Sequence, residues 1–104
     1  MKLVQYLNTN LNGELIWPNL NFMGPGNNAI LETKEIENSI LKKAVLKKTV
    51  EYYTHLDIEI EFNGRTYSTA IIWDDQTLLR SFYEILRDNL GKSMKEIGNC
   101  EWPS

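Results

Sequence analysis

Val50-Glu51-Tyr52-Tyr53-Thr54-His55-Leu56-Asp57-Ile58-Glu59-Ile60-Glu61-Phe62, then Asn63-Gly64, then Arg65-Thr66-Tyr67-Ser68-Thr69-Ala70-Ile71-Ile72-Trp73, is the stretch whose reading decides the fold. In its first half Val50, Tyr52, Leu56, Ile58, Ile60 and Phe62 take alternate positions, with Thr54 the one interruption. Glu51, His55, Asp57, Glu59 and Glu61 fall between them. A period of two sends these sets to opposite faces of a strand. Asn63-Gly64 is the dipeptide of a type I′ turn, in which both central residues take positive φ. A turn that tight sets Phe62 opposite Arg65, Ile60 opposite Tyr67, Ile58 opposite Thr69 and Leu56 opposite Ile71. A slip of one residue would turn Leu56, Ile58 and Ile60 into water, so the register is strongly specified.

Trp73 closes the second strand, and Asp74-Asp75 supply acceptors and negative charge where the first N–H groups of a helix point outward. Leu78, Leu79, Phe82, Leu86 and Leu90 then recur at three- and four-residue steps with Ile85 beside them, while Arg80, Glu84, Arg87 and Asp88 lie on the other side. That is a helix with one apolar stripe. Gly91 suits a left-handed C-terminal position, and Ser93-Met94-Lys95-Glu96 reads as a capping box opening a short helix that ends at Gly98. The stripe has a destination in the apolar face of the hairpin, because a two-stranded ribbon alone is marginal in water.

Outward from this centre the signals weaken. Val4 and Tyr6 give Leu3 to Leu7 strand character, and Leu15-Ile16-Trp17 form a second apolar run, with Asn12-Gly13 between them as a second hairpin signal. Pro18 ends that strand. Asn19 to Asn28 is rich in Asn, Gly and Pro and reads as a loop carrying Phe22 and Met23, which are either tucked onto the core or offered to a partner. Its Gly24-Pro25-Gly26 has neither the lysine nor the spacing of a phosphate-binding loop. Thr33 is positioned to cap a helix running to about Val45, with Ile36, Ile40, Leu41 and Ala44 on one face; the competing reading starts a strand as early as Leu41. The two halves share an Asn-Gly turn and a closing Ile-Trp pair, which reflects common turn chemistry better than a repeat. The tail, Asn99 to Ser104, reads as a short edge strand pinned by Trp102.

At 104 residues the chain is expected to form a single domain over its whole length, large enough to build a core without disulfides or metal. A hydrophobic fraction of 42% argues against disorder. The net charge of −3 is too small to mark an acidic mimic of nucleic acid or a polybasic surface. With Cys100 and His55 the sole residues of their types, an internal disulfide is excluded and a zinc site would have to lean on carboxylates. The N-terminus lacks the apolar run of a signal peptide, and no segment approaches the ~20 apolar residues of a membrane span, so the expected compartment is the cytoplasm and no membrane partner is expected. Frequent Asn, Ile and Lys, with lysine exceeding arginine, is the bias of an AT-rich bacterial or phage genome.

The candidate functional set is His55, Asp57, Glu59 and Glu61, neighbours on one strand face that Thr66, Ser68, Ala70 and Ile72 share. Carboxylates beside a histidine can hold a divalent cation or act as acid and base. Alternating polar residues are also the ordinary pattern of an antiparallel sheet covered on one side only. A straight row with ligands about 7 Å apart suits a shallow surface better than a metal sphere. Lys42, Lys43, Lys47 and Lys48 with Tyr52 and Tyr53 resemble a basic patch with stacking groups, but acids follow at once and the chain is acidic, so nucleic acid is not the expected partner. Trp17, Trp73 and Trp102 read equally as core lids or interface anchors.

These observations predict an α+β fold: an antiparallel sheet of about four strands from two Asn-Gly hairpins, two main helices on one face, in the order ββαββα. Such a fold leaves one sheet face uncovered. The expected function is a small non-enzymatic interaction protein, of the inhibitor, immunity or accessory kind. It would bind a protein partner or its own copy through Tyr53, His55, Asp57, Glu59, Glu61 and Ile72 or through an edge strand, with no cofactor and no metal. The alternative is a small metal-dependent or acid–base enzyme using His55, Asp57 and Glu59.

Overall fold

A computed structural model of the chain describes residues 1–11, 22–24, 30–48, 50–51 and 53–102. Among them the element order is α1 (Leu3–Leu11), α2 (Thr33–Glu37), β1 (Ile40–Lys48), β2 (Tyr53–Phe62), β3 (Arg65–Ile71), α3 (Gln76–Arg87) and α4 (Met94–Gly98). The fold is α+β, built on a three-stranded antiparallel sheet in the order β1-β2-β3. The expected four strands and ββαββα order do not occur among the described residues, and helices both precede and follow the sheet.

The β2–β3 hairpin turns at Asn63 and Gly64, with φ of 53° and 76°. Its pairs are Phe62 with Arg65, Ile60 with Tyr67, Ile58 with Thr69 and Leu56 with Ile71. Leu56, Ile58 and Ile60 are completely buried, so the central strand supplies the floor of the core. Each such side chain stabilises the fold by roughly 1.5–3 kcal/mol relative to its exposed state. Asp75 caps α3, its Oδ1 accepting from the Leu78 N–H at 2.9 Å, and Leu78, Leu79, Phe82 and Leu86 bury the stripe against β1 and β2. Ser93 caps α4 in the same way, accepting from the Glu96 N–H at 3.2 Å.

Two expectations are corrected. Leu3 to Leu7 is the start of helix α1 and not a strand, because Leu3 and Leu7, four residues apart, are both completely buried while Val4 and Tyr6 are half-buried. The second half of that hairpin, Asn12-Gly13 through Trp17, lies outside the described residues. The helix expected from Thr33 to Val45 ends at Glu37: its N-cap is Glu32, and Asn38 Nδ2 and Ser39 Oγ take the carbonyls of Lys34 and Glu35 at 2.9 and 2.6 Å, which closes the last turn. Strand β1 begins at Ile40, close to the competing reading. In β1 an irregularity between Leu41 and Lys43 places two residues of β1 against one of β2, so Leu41, Ala44 and Leu46 all pair with core-facing Ile60, Ile58 and Leu56.

The loop residues also gain defined places. Phe22 is completely buried, and Met23 forms a bridge with Ser68 on the outer edge of β3 through reciprocal N–H to O bonds of 2.9 and 3.0 Å. Met23 bridges Ile30 on its other side. The tail pairs at a single bridge, Glu101 with Lys2, and Trp102 stacks on Tyr6. No helix among the described residues is long and apolar enough to cross a membrane.

Candidate functional site

Alternation along β2 carries His55, Asp57, Glu59 and Glu61 to the face opposite the core. The register sets Asp57 opposite Ala70, Glu59 opposite Ser68 and Glu61 opposite Thr66 on β3, and sets His55, Asp57 and Glu59 opposite Lys47, Val45 and Lys43 on β1. Cross-strand partners share a face, so one row runs from Lys43 through Glu59, Ser68 and Met23 to Ile30. The row passes from charged through hydroxyl to apolar. The neighbouring row, Val45, Asp57 and Ala70, is lower in bulk, and above it lies a depression of about 550 Å³ rimmed by Lys43, Lys47, Glu59 and Met23.

The acids on this face are paired and half-exposed. Glu59 Oε2 lies 3.8 Å from Lys43 Nζ, Glu61 Oε2 lies 3.9 Å from Lys42 Nζ, and Asp57 Oδ2 lies 3.5 Å from His55 Nε2. Ion pairs this exposed contribute at most about 1 kcal/mol each. Their effect is to fix where charge sits on the face rather than to hold the fold.

All the residues singled out on β2 from His55 onward therefore share one surface, and Ile72 stands beside it, 75% exposed. Tyr53 lies in β2, but its side chain is outside the described residues. The lysines belong to β1 and interleave with the acids, rather than clustering at a helix end. The sequence leaves Met23 open between the core and a partner, and brings neither Val45 nor Ile30 into the site. Val45 between Lys43 and Lys47 carried an alternation signal, hidden by the Lys42-Lys43 doublet; Met23 and Ile30 carried none, because their place depends on long-range bridges.

For catalysis the face offers little convergence. No three His, Cys, Asp or Glu side chains among the described residues approach closely enough to hold a metal ion. The acids point along a strand, each toward a different partner. Cys100 is a free, half-buried thiol whose Sγ lies 3.7 Å from the Glu96 carbonyl. Trp73 stacks on Phe82 at 5.3 Å and serves as a lid on the core, whereas Trp17 is outside the described residues. Compared with known proteins, the chain matches no family model, no curated protein and no solved structure.

Proposed function

We propose that this chain is a small non-enzymatic interaction module, of the inhibitor, immunity or accessory kind, that binds a protein partner through the open face of its sheet. The carrying observation is the make-up of that face. All the described helices contribute to one buried cluster on the other side of the sheet, and the face left over grades from paired lysines and acids to Met23, Ala70, Ile72 and Ile30. A surface with an apolar part bordered by fixed charges offers both the desolvation that gives affinity and the complementarity that gives specificity.

Affinity capture from a bacterial lysate, followed by reconstitution with the purified captured protein, tests this reading. Glu59→Lys with Glu61→Lys should abolish the reconstituted complex while the thermal transition of the chain stays within a few degrees, since exposed pairs contribute little to stability. A complex indifferent to these changes, or no complex at all, removes the proposal.

A further inference from the structure

Strand β1 is the edge of the sheet, and among the described residues hydrogen bonds cover its outer side only at one end. There the segment 91–94 runs alongside: Gly91 N–H donates to the Leu41 carbonyl at 2.8 Å, Leu41 N–H to the Lys92 carbonyl at 3.0 Å, and Met94 N–H to the Ser39 carbonyl at 2.9 Å. Beyond Leu41, among the described residues, no segment other than β2 hydrogen-bonds to β1. Burial follows the same boundary. Leu41 is completely buried, whereas Ala44 and Leu46, which pair with equally core-facing residues of β2, are left half-buried. The core is finished where the edge is covered and unfinished where it is open.

We infer that the outer edge of β1 from Ala44 to Lys48 accepts an added strand, and that the strand is an acidic extended segment of a partner protein with acids alternating with apolar residues. The inference builds on the reading of the chain as an interaction module but places contact at an edge distinct from the open face. The inner side of β1 shows the chemistry. β2 brings Asp57, Glu59 and Glu61 alongside the lysine-bearing face and Leu56, Ile58 and Ile60 alongside Leu41, Ala44 and Leu46. A strand offers the same side chains to both of its edges, so a segment of that pattern on the outer edge sets its acids beside Lys43 and Lys47 and its apolar residues over Ala44 and Leu46. Lys47 is exposed and forms no ion pair among the described residues. A second copy is a poor occupant, because β1 against β1 opposes lysine to lysine; lysines on an edge strand guard it against such pairing.

The test uses the full chain, ¹⁵N-labelled, titrated with a blocked peptide of the chain's own acidic pattern, Leu56-Asp57-Ile58-Glu59-Ile60-Glu61-Phe62, and with a control in which the three acidic positions carry glutamine. The acidic peptide should shift the amides of residues 44–48 and slow their hydrogen exchange, the glutamine control should bind about tenfold more weakly, and Lys47→Glu should weaken the acidic peptide by a similar factor. Equal binding of both peptides, shifts centred on Met23 and Ala70, or no binding overturns the inference. So does a concentration-dependent dimer in sedimentation equilibrium that the Lys47 change does not strengthen. If the peptide fails while a captured partner is still lost on Glu59 and Glu61 reversal, the edge inference falls and the open-face reading stands.

Discussion

The Trp102 indole stacks on the Tyr6 ring with centroids 4.0 Å apart and planes 10° from parallel. Around that stack Trp102 N–H donates to the Met1 carbonyl and Leu3 N–H to the Cys100 carbonyl, each at 2.7 Å. The clamp holds α1 against α4, so Leu3 and Leu7 stay buried. Trp102→Ala should lower unfolding free energy by about 2 kcal/mol, less than for a fully buried tryptophan because the ring is half-exposed. Urea unfolding of Tyr6→Leu, Trp102→Ala and the double variant should return a coupling of about 1 kcal/mol. Strict additivity would mean that the stack contributes no more than its separate burials.

Gly24 is required by close approach. A Cβ there would sit 2.9 Å from Cε2 and 3.2 Å from Cδ2 of Tyr67, whose ring is 7% exposed and packed in the core. Gly24→Ala should therefore destabilise by about 1–2 kcal/mol through overpacking. Thermal melts in a Tyr67→Leu background check the cause: with the ring edge removed, the alanine should cost markedly less. An unchanged cost would place the glycine requirement in the backbone instead.

How far the sequence could be read follows from where the physics is local. The β2–β3 register and α3 were legible because Asn63-Gly64, the clean alternation of Leu56, Ile58 and Ile60, and the Asp75 cap all act within a few residues. β1 is legible only as a competing reading, because Lys42-Lys43 breaks the period of two and leaves Ile36, Ile40, Leu41 and Ala44 spaced like a helix stripe. For α1 the choice between Val4 with Tyr6 and Leu3 with Leu7 depends on what packs against them, and Ile97 of α4 lies ninety residues away in the sequence. Alternation alone reveals the acids of the open face. The Lys42-Lys43 doublet that pairs with two of them looks in sequence like the end of a helix and lies in β1.

The irregularity at Lys42 leads to a deletion test. Removing one lysine of the doublet leaves Leu41, Ala44 and Leu46 in phase with Ile60, Ile58 and Leu56, since the extra residue faces away from the core. The shortened chain should lose no more than about 1 kcal/mol, mostly the exposed Lys42–Glu61 contact. Deleting Ala44 should instead either turn Leu46 outward or, with the irregularity taken up, bring Lys43 into the core-facing place of Ala44, and either way cost several times as much, by roughly 3 kcal/mol or more. Chemical denaturation of the two deletion variants separates these outcomes. Similar losses in both would show that the doublet is not an inserted residue.

Zinc or manganese should leave the thermal transition essentially unmoved. Asp57 faces His55, Glu59 faces Lys43 and Glu61 faces Lys42, so a cation would meet one acid at a time along the strand. Binding a ligand at a hundred times its dissociation constant stabilises by about 2.7 kcal/mol, which a melting scan in millimolar metal would register as a rise of several degrees. A rise of that size, lost in Asp57→Ala, would restore the metal-dependent reading of the face.

Truncations along the core side of the sheet should grade with the covering of its edge. Ile58 in the central strand and Leu41 beneath the segment 91–94 are both completely buried, so Ile58→Ala and Leu41→Ala should each cost about 3–4 kcal/mol, combining lost transfer energy with the cavity left behind. Leu46 has the same orientation but an open flank, and water fills much of what its removal vacates, so Leu46→Ala should cost only about 1–2 kcal/mol. Equilibrium unfolding in urea at a shared m-value gives the comparison directly. A Leu46→Ala loss equal to that of Leu41→Ala would mean that the β1 edge is covered in solution along its whole length, and the free strand edge would disappear from the account of this molecule.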